Sequence, residues 1–197
     1  MKTAIIKYNA GNIRSVQFAL ERLGVNGIVT DDHEEIRSAD KVIFPGVGEA
    51  STAMQYLKER RLDQVIRELK QPVLGVCLGM QLMCKHSEEN DTDCLGIFDI
   101  PVKRFQSPVE NLLKIPQTGW NNISGLHSVM FAHVQENAYM YFVHSYYAAL
   151  GADTVAISNY VINYSAALQK DNFYAVQFHP EKSAEAGARI IDNFLKL

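Results

Sequence analysis

The sequence holds no long apolar run, no excess of positive charge and no close pair of cysteines, and each absence removes a class of protein. No stretch approaches the roughly 20 apolar residues that a membrane-spanning helix needs. The opening Met1-Lys2-Thr3-Ala4-Ile5-Ile6-Lys7 is too short in apolar length for a secretory signal, so a cytoplasmic location is expected. A formal net charge of -3 offers no broad electropositive surface to a phosphate backbone, which argues against nucleic acid and for small molecules or proteins as partners. The three cysteines, Cys77, Cys84 and Cys94, are an odd number without paired spacing. That excludes a disulfide framework and a cysteine-based zinc site, and leaves at least one free thiol to explain. No repeat, low-complexity tract or linker divides the chain, so residues 1–197 read as one domain, with 47% hydrophobic residues to build its core.

What is present is an alternation of apolar strands with amphipathic helices. Residues 3–8 read as a strand followed by a turn at Asn9-Ala10-Gly11, and the Ile13, Val16, Leu20 and Leu23 spacing predicts a helix over about 13–23. A second strand at 41–44 ends in Pro45-Gly46-Val47-Gly48; helices carrying Met54 and Leu57, and then covering about 62–70, follow. A strand at 72–76 runs straight into Cys77 and a helix bearing Leu78, Leu82 and Met83, with Cys84 expected on the same helix. The second half is richer in strands, with candidates at 102–105, 140–144, 154–158, 165–168 and 173–178 before a closing helix at about 184–195. This order predicts an α/β fold: an open, mostly parallel sheet flanked by helices on both faces, with an antiparallel extension. The acidic run 88–93 reads as a solvated loop.

Gly75-Val76-Cys77-Leu78-Gly79 falls where a strand turns sharply into a helix, the setting of a nucleophile elbow with cysteine in place of serine. The glycines permit the tight turn, and a helix N-terminus favours the thiolate. A small buried hydrophobe is the competing reading of Cys77, and it is the better one for Cys84 and Cys94, which lack flanking glycines. Near the C-terminus a strand delivers His179-Pro180-Glu181 at its carboxyl end, where open α/β sheets place their sites. Pro180 pushes His179 towards an extended backbone, in which residues two apart project to one side, so Glu181 can hold the imidazole. Cys77 as nucleophile, His179 as acid–base and Glu181 as orienter make a triad. Its oxyanion donors would be the backbone N–H groups of Leu78 and Val47, although Pro45-Gly46-Val47-Gly48 equally suits a plain strand terminator.

In combination, P-G-V-G, G-V-C-L-G-M-Q and H-P-E-K-S resemble the class I (triad) glutamine amidotransferases. The likeness extends through Ala10-Gly11-Asn12-Ile13-Arg14-Ser15, Gly119-Trp120-Asn121 and Tyr141-Phe142-Val143-His144-Ser145-Tyr146. It implies hydrolysis of L-glutamine to glutamate and ammonia through a cysteine thioester, with no cofactor and no metal. It further implies that Gly46, Gln81, Ser145 and Tyr146 contact the substrate, and that the chain forms a heterodimer with a (β/α)₈-barrel synthase subunit that receives the ammonia. Asn12, Trp120, Tyr141 and Lys182 match positions at that interface. By residue type alone, Gln81 also fits an exposed helix position, Trp120 and the tyrosines a core, and Lys182 a solvated charge. An amidotransferase serving another synthase, or an inactive scaffold, are the alternative functions. The chain departs from the common pattern at Gln117 and Thr118, where the family often has His-Met, and at Lys7 and Asn9.

Overall fold

Four-residue strands with every side chain buried can only sit in the middle of a sheet covered on both faces, and Thr3–Ile6, Lys41–Phe44, Val73–Val76 and Phe173–Val176 are of this kind. The computed structural model describes residues 1–9, 11–108 and 113–197. In chain order its first half comprises β1 (Thr3–Ile6), α1 (Ile13–Arg22), β2 (Gly27–Thr30), α2 (His33–Arg37), β3 (Lys41–Phe44), α3 (Ala50–Glu59), α4 (Leu62–Glu68), β4 (Val73–Val76) and α5 (Leu78–Met83). The second comprises β5 (His86–Ser87), β6 (Thr92–Asp93), β7 (Pro101–Arg104), β8 (Gln117–Asn122), β9 (Tyr139–His144), β10 (Tyr146–Ala148), β11 (Thr154–Asn159), β12 (Asn163–Lys170), β13 (Phe173–Val176) and α6 (Ala184–Leu195).

The main sheet runs β2-β1-β3-β4-β13-β12-β10-β7-β5-β6, with β11 paired to β12. Its first five strands are mutually parallel, and β12, β10 and β11 extend it in antiparallel fashion. A separate antiparallel ribbon joins β8 to β9. Side chains that alternate along each strand divide the core in two: Ala4, Ile6, Val42 and Phe44 pack with Met54 and Leu57, whereas Ile5, Ile43, Leu74 and Val76 pack with Leu20, Ile190 and Phe194. Helices thus cover both faces, and the carboxyl ends of β3, β4 and β13 lie side by side. None of the helices among the described residues is long and apolar enough to cross a membrane.

Most departures from expectation are short or polar elements. β2 is an edge strand with only Thr30 buried, so it carries no apolar run, and α2 is a single turn held by the Asp32 side chain accepting from Glu35 N at 2.8 Å. β8 reads Gln-Thr-Gly-Trp-Asn-Asn, without the alternation that marks a strand. Ala10 of the expected turn after β1 lies outside the described residues.

Helix α5 comes unusually close to β3. A Cβ on Gly79 would sit 1.9 Å from the Phe44 carbonyl oxygen and 2.9 Å from its carbon, both backbone atoms that cannot swing aside. Gly79→Ala is therefore expected to destabilise the fold by about 3 kcal/mol, as overpacking against an unyielding wall does. A urea midpoint equal to that of the unsubstituted chain would contradict this.

Candidate active site

Strand β4 ends one residue before Cys77, whose backbone (φ 53°, ψ -107°) lies where a side chain is strained by roughly 1–3 kcal/mol. Two hydrogen bonds hold that conformation: Cys77 N donates to Val176 O at 2.8 Å, and Gln81 N donates to Cys77 O at 3.2 Å. The turn is the elbow that the flanking glycines predict. Helix α5 stops at Met83, so Cys84 is an extended cap residue and not part of the helix as expected. Burial pushes the Cys94 thiol up to about 12 and the Cys84 thiol higher still, so neither supplies a thiolate near neutrality.

His179 is wholly buried, and its Nδ1 lies 2.8 Å from Glu181 Oε1, whose side chain is also fully buried. The route to this contact differs from the expected one. His179 is extended (φ -98°, ψ 94°), but residues Pro180–Lys182 form a single 3-10 turn that curls Glu181 back onto the ring. Because the carboxylate can only accept, Nδ1 carries the proton and Nε2 is left as the basic atom, without a hydrogen-bond partner among the described residues. Burial lowers the imidazole pKa, yet the negative charge of a Cys77 thiolate and the bond to Glu181 outweigh it and hold His179 well above its ordinary value. The Asn12 amide, at the mouth of α1 in a left-handed conformation (φ 72°), donates to the same Glu181 oxygen. Ser183 completes the support: its hydroxyl donates to His179 O at 2.6 Å and accepts from Tyr141 N at 2.9 Å, while His179 N donates to Tyr141 O at 2.9 Å.

A cavity of about 260 Å³ opens in front of Cys77, and its wall includes Val47, Gly48, Leu78, Gln81, Ser145 and Tyr146. His179 and Glu181 do not wall it; the His179 ring lies within reach of the Cys77 sulfur, and Glu181 lines a second cavity of about 600 Å³ with Trp120 and Lys182. Gln81 is buried at 5% exposure, which removes the alternative of an exposed helix position. Its Nε2 donates to Tyr146 O at 2.9 Å and Gln177 Oε1 at 3.0 Å, which turns its own oxygen into the acceptor available to the cavity. His144 lies in the same wall as a neutral ring: Nδ1 donates to Tyr146 O at 2.7 Å, and burial lowers its pKa to about 4.

The acidic run 88–93 is not merely solvated. The β5–β6 hairpin folds Glu89 into the cavity wall, where it is half-buried, accepts from Ala50 N at 2.7 Å, and has its pKa raised by burial. Sequence spacing carries no sign of this, because two-residue strands leave no periodic trace. Gly46 is also displaced from its expected role: it does not wall the cavity but lies buried against Tyr8, whose hydroxyl a Cβ would meet at 2.0 Å.

The two expected oxyanion donors are not both free. Leu78 N donates to Gly46 O at 3.2 Å, because the turn after β3 folds over the start of α5 and satisfies a helix N–H that would otherwise lack a partner. The Val47 carbonyl accepts from Gly11 N at 3.0 Å. In this conformation the position of a developing oxyanion beside Leu78 is taken by a carbonyl oxygen.

On the Glu181 side, Trp120 pairs with Tyr141 across the β8–β9 ribbon, their rings 6.1 Å apart edge to face, and Lys182 Nζ stands 5.9 Å from the Tyr141 ring. Trp120 is 54% exposed and Lys182 is exposed, so neither belongs to the core. Gln117 points inward instead, accepting from Tyr164 Oη at 3.0 Å, while Thr118 is exposed.

A cysteine on a strained elbow, a carboxylate-held imidazole within its reach and a polar cavity in front are the apparatus of a cysteine-dependent acyl transferase on an open α/β sheet. Residues 5–197 match the family glutamine amidotransferase class-I, and the chain belongs to it. It is 61% identical to imidazole glycerol phosphate synthase subunit HisH of Bacteroides fragilis, over 197 residues and the whole of both chains. Its identity to the subunit of the same name from Bacteroides thetaiotaomicron is 56%, again over the whole of both. Among solved structures, a glutamine amidotransferase shares the fold with a TM-score of 0.72 at 18% identity, covering 98% of this chain and 97% of that one.

Proposed function

We propose that the chain is the glutaminase subunit of an imidazole glycerol phosphate synthase, with residues 1–197 forming one amidotransferase domain. The convergence of Cys77 with a Glu181-held His179 behind a single polar cavity carries this reading. Cys77 Sγ attacks the side-chain amide carbon of L-glutamine, His179 passes a proton to the departing nitrogen, and ammonia leaves a γ-glutamyl thioester. Water, deprotonated by His179, then releases glutamate. Glu89 and the Gln81 oxygen suit the substrate ammonium, and Ser145 and Tyr146 stand where its carboxylate would lie.

Ammonia released into water is protonated and lost, so it has to pass directly to a second protein. The exposed Trp120 and Lys182, with the half-buried Tyr141 between them, form on the Glu181 side the surface on which a (β/α)₈-barrel synthase subunit would dock, and Asn12 links that surface to the triad carboxylate. The barrel would use ammonia to make imidazole glycerol phosphate and an aminoimidazole carboxamide ribonucleotide, a step of histidine biosynthesis. Three buried, unpaired thiols suit a cytoplasmic setting.

The Leu78–Gly46 bond explains how hydrolysis would be held back in the free chain. Rotating the Gly46–Val47 peptide would release Leu78 N–H and bring Val47 N–H to the oxyanion. Since one missing oxyanion donor costs about 100- to 1000-fold, docking of the barrel subunit with its nucleotide bound should raise the glutamine turnover number by about that factor. Copurification of the two subunits followed by glutaminase assays with and without the barrel tests both points. Failure to associate, or equal rates, would refute the proposal.

A further inference from the structure

We propose that Gln177 stabilises the thiolate form of Cys77 by donating its side-chain N–H to the sulfur, an inference that deepens the reading of Cys77 as nucleophile and rests on it. The parallel register of β4 and β13 sets Val176 beside Val76, and Cys77 N donates to Val176 O at 2.8 Å. The next residue on β13's path, Gln177, is thereby delivered to the elbow. It is completely buried, a place where an amide is tolerated only if its polar atoms find partners. Gln177 Oε1 accepts from Gln81 Nε2 at 3.0 Å, and Gln177 Nε2 lies 3.7 Å from Cys77 Sγ.

The surroundings dictate this orientation. The Tyr146 carbonyl can only accept, so the Gln81 end that approaches it at 2.9 Å is the nitrogen, and the other hydrogen of that nitrogen faces Gln177. Gln177 must meet it with oxygen and so presents its nitrogen to the sulfur. Another contact of Sγ, Val143 O at 3.9 Å, can only accept, so it holds the protonated thiol and opposes the thiolate, while His179 and Tyr8 are the titratable side chains that feel the sulfur's charge. Gln177 has the opposite preference. Unlike His179, which gives its proton to the leaving ammonia, an amide N–H remains in place, and so it also supports the sulfur as it departs from the thioester.

The pH midpoint of Cys77 alkylation by iodoacetamide, followed by peptide mass spectrometry on the full chain, reads the thiolate without any glutamine. Gln177→Met, which removes the donor without adding charge, is expected to raise that midpoint by about one pH unit, and Gln177→Glu, which keeps an acceptor for Gln81 but sets a carboxylate beside the sulfur, by more. Glutamine turnover in the complex should fall about tenfold in kcat, with KM within about twofold. A midpoint that stays put in folded variants overturns the proposal, whatever happens to kcat. A shifted midpoint in a chain that cannot hydrolyse glutamine supports the hydrogen bond and sinks the glutaminase reading instead. Should the variants not fold, the unsubstituted chain decides: the Gln177 Nε2–H proton resonance should move downfield as Cys77 ionises, and an unresponsive resonance overturns the proposal.

Discussion

Cys77→Ala is expected to abolish glutamine hydrolysis while leaving synthesis from ammonium salts intact in the complex. Loss of a nucleophile removes the covalent route altogether, a fall of about a million-fold where comparable enzymes are concerned. The substitution deletes one sulfur whose neighbours are Gln177 Nε2, Val143 O and the His179 ring, so neither the sheet nor the docking face is disturbed. Cys84 and Cys94 cannot substitute, since both are buried with raised pKa values and neither walls the cavity. Steady-state glutamate release and ammonia-dependent product formation, measured on one preparation, separate the two activities. Residual hydrolysis above background would show that Cys77 is not the nucleophile, and loss of both activities would point to a failure of assembly.

Glu181→Gln should lower glutamine kcat by about 10³- to 10⁴-fold with little change in KM, the size of effect seen when an acid–base histidine loses its carboxylate. The Glu181 carboxylate accepts both the His179 proton and the Asn12 amide on one oxygen, so it fixes the tautomer that leaves Nε2 basic. It also contributes to the raised pKa of His179: burial is the largest single influence and lowers it, and only the Cys77 and Glu181 interactions together outweigh that. The sign follows: without that contribution the imidazolium is lost at a lower pH, so the alkaline limb of the kcat/KM profile should move towards acid. An unchanged limb, or a loss expressed only in KM, would contradict a role for Glu181 behind His179.

The local geometry around Cys77 and His179 was more legible than its surroundings because it is written in local constraints. Glycines on either side of Cys77 restrict the backbone within a few residues, so the elbow can be read without knowing the fold; the nearness of Glu181 to His179 was expected too, but from an extended backbone, whereas a 3-10 turn brings it about. Strands buried on both faces are equally plain: residues 41–44 and the closing helix 184–195 agree with β3 and α6 residue for residue. What escaped depends on groups far apart in the chain. Glu89 enters the cavity only because a two-residue hairpin folds it there, and Ser183 matters only because Tyr141 crosses it. The Leu78–Gly46 bond is a choice between conformers of a glycine-rich turn, which residue identity leaves open. Gln117, which departs from the family pattern, satisfies Tyr164 in the interior, so its effect is on the core of the ribbon and not on the docking face.

The most direct measurement is covalent labelling with a glutamine analogue that carries a diazoketone in place of the side-chain amide, followed by mapping of the modified peptide. One adduct per chain is expected, on Cys77, slowed by excess L-glutamine and by Glu181→Gln. Labelling at Cys84 or Cys94, or at Cys77 without protection by glutamine, would contradict it.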